Sequence, residues 1–203
     1  MINHDVLTTL TERVSHGSLE APGPSADEIE LITRAALRAP DHALLRPWRF
    51  VAVEGDRRGD LGVVLHESLR LRGVTDEAML AKALKAPLRA PLIVAVMLDY
   101  KVHPKVDRTE QVGSAAAATY AMSLAANALG YGTMWRTGQY ATDPHVVEAL
   151  GGAEVVAADP KLRERITAAL SAADQGIEVT AVAAPVEYVV DPYDCFLSHK
   201  RSD

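Results

Sequence analysis

The chain has 203 residues, with 21 Lys+Arg against 27 Asp+Glu and a net charge of -6. That mild acidity disfavours general binding to nucleic acid or anionic membranes. The lone Cys195 rules out an intrachain disulfide and makes a reducing compartment the default. No apolar run reaches the ~18 residues of a membrane span, and residues 1–20 carry no basic segment followed by an apolar core. We therefore expect a soluble, cytoplasmic chain forming one domain over 1–203, long enough to bury a sizeable core.

A first helix is expected over 5–13, with Asp5 at its cap and Val6, Leu7 and Leu10 on one face. It leads into Arg13, Val14 and Ser15. Ser25 and Glu28 form an S-x-x-E capping box, and Ile29, Ile32, Ala36 and Leu37 follow at helical spacing. That second helix should stop near Arg38, because Ala39 precedes a proline and Pro40 lacks the N–H that continuation needs. A polar corner follows, presenting Arg38, Asp41, His42 and Arg46, before a strand from Trp48 to Glu54.

Gly55 and Asp56 mark a turn and cap, and Leu61, Val64, Leu65 and Leu69 make a helical stripe. Thr75 is expected to open a further helix to about Lys85, with Met79, Leu80, Ala83 and Leu84 inward. Leu92 to Leu98 is a near-continuous apolar run and reads as a strand buried on both faces. After a polar loop, Arg108 to Leu129 forms the longest helix. Its many alanines keep it slim, as suits a central helix packed on all sides, and Gly130 suits the left-handed position after its end. Thr142 or Asp143 caps a short helix with Pro144 in its first turn, ending at Gly151-Gly152. A helix is expected over about 161–173 and a strand over 177–184, followed by an extended aromatic tail.

Several constellations are missing. No histidines pair as H-x-x-x-H or sit beside cysteines, and there is no G-x-S-x-G or P-loop. Gly130-Tyr131-Gly132 lacks the third glycine of a dinucleotide fingerprint and follows a helix, so a Rossmann reading is rejected. We expect no metal site and no catalytic side chain. The chain is enzymatic only if it borrows a cofactor.

Three segments carry a resemblance. They are Arg13-Val14-Ser15, the run "RAPDH" followed by Pro47-Trp48 and Phe50, and Gly130 to Gly138 with its Trp135-Arg136-Thr137. In this order and spacing they resemble the small, minimal members of the nitroreductase superfamily, the FMN-dependent NAD(P)H oxidoreductases; "KAPLRAPLIV" at 85–94 is similar too. The resemblance covers residues 5–150 well and the remainder poorly.

It implies an α+β fold, a mixed, mainly antiparallel sheet flanked by helices, in an entwined homodimer with FMN at the interface. It implies hydride passing from NAD(P)H through flavin N5 to a small nitro- or quinone-like acceptor in a ping-pong mechanism. The cofactor-binding residues it implies are Arg13, Val14, Ser15, Trp135, Arg136 and Thr137, with Arg38 and His42 reaching the flavin held mainly by the other subunit. Arg13 and Arg136 suit the phosphate and ring edge, since a guanidinium gives parallel N–H bonds to an oxyanion.

Departures from the family pattern are Val14 in place of a second arginine, a helix inserted over 159–175, and Ala183-Ala184 in the strand taken as the displaced family strand. The tail, 186–203, is expected to wrap the partner and add an edge strand. Without the family, Arg13 and Ser15 read as a solvated helix end. Arg38 then reads as a C-terminal helix charge, His42 as a turn histidine and Trp135 as a structural tryptophan. The alternatives are a flavin-binding or flavin-less relative without turnover, and a flavin oxidase or dehydrogenase of another small molecule.

Overall fold

The computed structural model describes residues 4–151 and the backbone of 193–200. The expected helix near 161–173 and strand over 177–184 lie outside the described residues. In chain order the elements are α1 (His4–Glu12), α2 (Ala26–Ala36), β1 (Trp48–Glu54), α3 (Arg57–Leu71), α4 (Glu77–Lys85), β2 (Leu92–Leu98), α5 (Arg108–Ala128), β3 (Tyr131–Arg136), α6 (Pro144–Gly151) and β4 (Tyr193–Lys200).

Local signals explain most boundaries. The Ser25 hydroxyl accepts from Glu28 N at 3.4 Å and Ser25 N donates to Glu28 Oε2 at 2.8 Å, completing the capping box of α2. Asp76, not Thr75, caps α4, its Oδ1 accepting from the backbone of Ala78 and Met79 at 2.8 and 3.0 Å. Asp143, not Thr142, does the same for α6, accepting from His145 N at 3.0 Å. Asp5 sits inside the first turn of α1 rather than at its cap. Gly130 has φ +89°, the left-handed conformation that ends α5 and turns the chain into β3.

The sheet order is β1-β2-β4-β3, and every pairing is antiparallel. Strand β2 divides the core by its alternation. Leu92, Val94, Val96 and Leu98 pack with Ile29 and Ile32 of α2 and with Ala118 and Met122 of α5. Ile93, Ala95 and Met97 pack with Leu61 of α3 and with Val146, Val147 and Leu150 of α6. The sheet thus lies between two helical layers, which is the α+β arrangement expected.

Three further expectations are corrected. The residues 193–200 do not form an edge strand: β4 fills the interior place between β2 and β3. Met79 and Leu84 are exposed, because α4 covers its neighbours with only Leu80 and Ala83, against Leu69. Helix α5 is not packed on all sides: Ala115, Ala118 and Ala126 are buried, but Tyr120 is 40% exposed. Val6, Leu7 and Leu10 share a face of α1, yet that face is open in the isolated chain.

Candidate functional site

The site is built where α1 hands over to the sheet. The chain leaving α1 lies alongside β3: Ser15 makes a parallel bridge with Thr133, and His16 N donates to Thr133 O at 3.0 Å. Thr133 is itself fixed, its hydroxyl 2.7 Å from that of Ser123 on α5, both buried. Two segments 118 residues apart (15 and 133) are therefore held side by side. Arg13 stands with Nη1 3.5 Å from the Ser15 hydroxyl. Across the bridge, β3 runs on through the half-buried Trp135 and Arg136 to the exposed Thr137. Of the residues singled out in the sequence, Ser15 lies against Thr133, Arg13 reaches Ser15, and Trp135, Arg136 and Thr137 follow further along the same strand and its exit. Val14 lies among them with its side chain 47% exposed.

Two clefts open beside this junction and share His16. One, a narrow cleft of about 30 Å³, is lined by His16, Gly17, Leu19, Ala86, Met134, Arg89 and Arg136. Its rim is tied together by the Arg89 guanidinium donating to Gly17 O and by Leu19 N donating to Arg89 O at 2.9 Å. The other, of about 190 Å³, lies between α1 and the end of α5, where Thr8, Thr9, Glu12 and Asn127 line it. Arg89 and His16 were not assigned from the sequence. The available signal was the "KAPLRAPLIV" segment, whose arginine had no spatial partner until the fold supplied one.

Arg38 and His42 lie elsewhere in the chain. His42 Nδ1 is 2.8 Å from Glu110 Oε2, in the first turn of α5. The thirteen residues from Glu110 to Ser123 rise roughly 20 Å at 1.5 Å per residue, so His42 and the Ser15–Thr133 junction stand at opposite parts of α5. The turn holding His42 is strained: Ala43, Leu44 and Arg46 have φ of 65°, 54° and 48°, unusual for residues with a Cβ. Asp41 Oδ2 holds it closed by accepting from Arg46 N at 2.6 Å.

Among the described residues no group of His, Cys, Asp or Glu is placed to hold a metal ion, and no helix is long and apolar enough to cross a membrane. The donors at the junction are guanidinium and hydroxyl groups. That set suits a compact oxyanion such as a phosphate monoester, which accepts charged N–H and O–H bonds. Fold and site together define an α+β protein with a corner of guanidinium and hydroxyl groups beside the edge strand β3.

The comparisons with known proteins agree. Residues 10–158 match the Nitroreductase family. The chain is 41% identical over 147 residues to the "Putative NAD(P)H nitroreductase YdjA" of Escherichia coli K12, covering 72% of this chain and 80% of that protein. It is 37% identical over 150 residues to the "Putative NAD(P)H nitroreductase" of Haemophilus influenzae, with the same coverage of 72% and 80%. A nitroreductase-like protein of Bacillus cereus has the same fold, with a TM-score of 0.68 at 16% identity over 100% of this chain and 89% of that one. A nitroreductase of Bacteroides fragilis, solved with bound FMN, matches with a TM-score of 0.56 at 21% identity over 98% and 90%. This chain belongs to the nitroreductase family.

Proposed function

We propose that the protein is an FMN-dependent oxidoreductase that passes reducing equivalents from NAD(P)H to a small nitro- or quinone-like acceptor by a ping-pong mechanism. The observation that supports this reading is the bridge between Ser15 and Thr133, which brings the Arg13–Ser15 segment against the strand that carries Trp135 and Arg136. The names of the bacterial relatives and the FMN held by the Bacteroides protein support it.

Bound FMN would supply the hydride chemistry, which is the cofactor's own. The residues present fit its phosphate end. Arg13 and Arg136 would hold the oxyanion and the ring edge through charged hydrogen bonds, and Ser15 and Thr137 would add hydroxyl donors. A positive charge near the ring also favours the reduced, anionic form. No side chain is required as a general base.

We further propose a homodimer that completes each site from both subunits. His42 lies roughly 20 Å along α5 from the Ser15–Thr133 junction, which supports its serving, with Arg38, the flavin corner of a partner. The open apolar face of α1, carrying Val6, Leu7 and Leu10, supports an interface there. In this reading residues 1–203 form one domain, and the enzyme works in the cytoplasm on reduced nicotinamide.

The test begins with the purified protein. Heat-released flavin identified by chromatography as FMN, one per subunit, with anaerobic bleaching by NADH or NADPH and recovery on adding a quinone, is the expected result. FAD in its place, or no flavin bound after reconstitution, overturns the reading.

A further inference from the structure

We propose that Arg89 is a phosphate-binding residue of this site, acting with Arg136 across the cleft they share. The proposal rests on the flavin reading above and adds a residue to it. Of the described side chains lining that cleft, the ionisable ones are His16, Arg89 and Arg136, all basic. The neighbouring cleft also touches His16 but carries the carboxylate of Glu12, the wrong sign for a phosphate. Charge thus distinguishes the two openings, although the one that carries Glu12 is the larger.

Arg89 is also held in place before any ligand is considered. Its backbone oxygen accepts from Leu19 N at 2.9 Å, and its guanidinium donates to Gly17 O. These two bonds fix both ends of the residue against the 17–19 segment. A guanidinium carries five N–H donors in a planar fork, so the bond to Gly17 orients the group without exhausting it. The remaining donors lie on an exposed side chain at the lip of the cleft that also contains Arg136. Two guanidiniums at one opening match a phosphate monoester, whose oxygens accept parallel N–H pairs. Arg89 would then supply the second basic group that Val14 does not, brought from the turn before β2 instead of from the end of α1.

The experiment compares FMN with riboflavin, which differs only by the phosphate. Full-length apoprotein is titrated with each by flavin fluorescence, for the parent and for Arg89→Ala, Arg89→Gln and Arg89→Lys, with a melting curve for each. The readout is the ratio of the riboflavin Kd to the FMN Kd. Loss of one charged hydrogen bond to phosphate should lower that ratio roughly ten- to a hundredfold in Arg89→Ala. Arg89→Gln, which keeps an N–H for Gly17 but no charge, should fall nearly as far. Arg89→Lys should stay within a few-fold of the parent.

If Arg89 only holds the 17–19 segment in place, both flavins weaken together and the ratio is unchanged, which overturns the proposal. An Arg89→Gln variant that melts like the parent and keeps the full ratio overturns it as well. A parent that binds FMN while the ratio is insensitive to Arg89 refutes this residue alone. A parent that binds neither flavin refutes the flavin reading itself, and this assignment falls with it.

Discussion

The hydroxyl of Tyr131 donates to Glu28 Oε2 at 2.8 Å, joining the first residue of β3 to the first turn of α2 across 103 residues of sequence. The same carboxylate oxygen accepts from Ser25 N, so one atom closes the cap of α2 and anchors the strand. Burial, and then the hydrogen bond and negative charge of Glu28, push the Tyr131 phenol from 10.0 up to about 12. Between those values the folded protein keeps a proton that the unfolded chain releases. The stabilisation is therefore complete below pH 10 and is lost as pH rises toward 12. Tyr131→Phe should cost about 1.5–3 kcal/mol near neutral pH, the worth of a hydrogen bond to a charged group. The difference in unfolding free energy between parent and variant, measured by denaturant titration, should hold steady to pH 10 and shrink above it. A difference that does not change with pH would refute the assignment.

Gly62 lies where α3 meets the end of α4, and the carbonyl oxygen of Leu84 occupies the space a Cβ would need. Gly62→Ala gains up to ~1 kcal/mol in helix propensity. It must also displace a backbone atom, which cannot rotate away, and overpacking costs about 1–3 kcal/mol. The second effect should win, and Gly62→Ala should be less stable than the parent. Gly59, one turn earlier, has nothing within 4 Å of its would-be Cβ. Gly59→Ala should therefore raise stability by ~0.5 kcal/mol. Equal effects at the two positions would contradict the packing described for α3 and α4.

Val14 tests how the site copes without a second arginine in its first segment. Its side chain is largely exposed, so Val14→Arg should leave the melting temperature unchanged. It should also tighten FMN, while Arg13→Ala should weaken FMN roughly ten- to a hundredfold. An Arg13→Ala variant that binds FMN as well as the parent would remove that segment from the site.

The shared-site dimer is tested by complementation. Arg13→Ala and His42→Ala should each lose flavin-dependent turnover as homodimers. Coexpressed, each mixed dimer contains one site with both changes and one site with neither, so half of the parent activity per mixed dimer should return. No recovery in purified mixed dimers would mean that both residues serve one chain's site or none.

Much of this protein was determined by short-range sequence signals. Ser25 and Glu28 specify where α2 begins, Pro40 specifies that it ends, and the apolar run Leu92–Leu98 specifies a strand covered on both faces. Capping and periodicity act within a few residues, so a single stretch suffices to encode them. Arg13, Ser15 and Trp135-Arg136 stood out only through the family resemblance, since local signals alone read them as a helix end and a structural tryptophan.

Other features were decided by tertiary structure alone. No local strand signal marks β3, because Tyr131-Gly132-Thr133 does not alternate apolar with polar. It is a strand because it pairs with 193–200 and because Thr133 is fixed by Ser123 and Ser15. The interior place of β4, the exposure of Met79 and Leu84, and the meeting of Arg89 with Arg136 likewise depend on which distant surface each residue meets. Strand pairing and side-chain burial are properties of two segments at once, and neither segment encodes its partner's position.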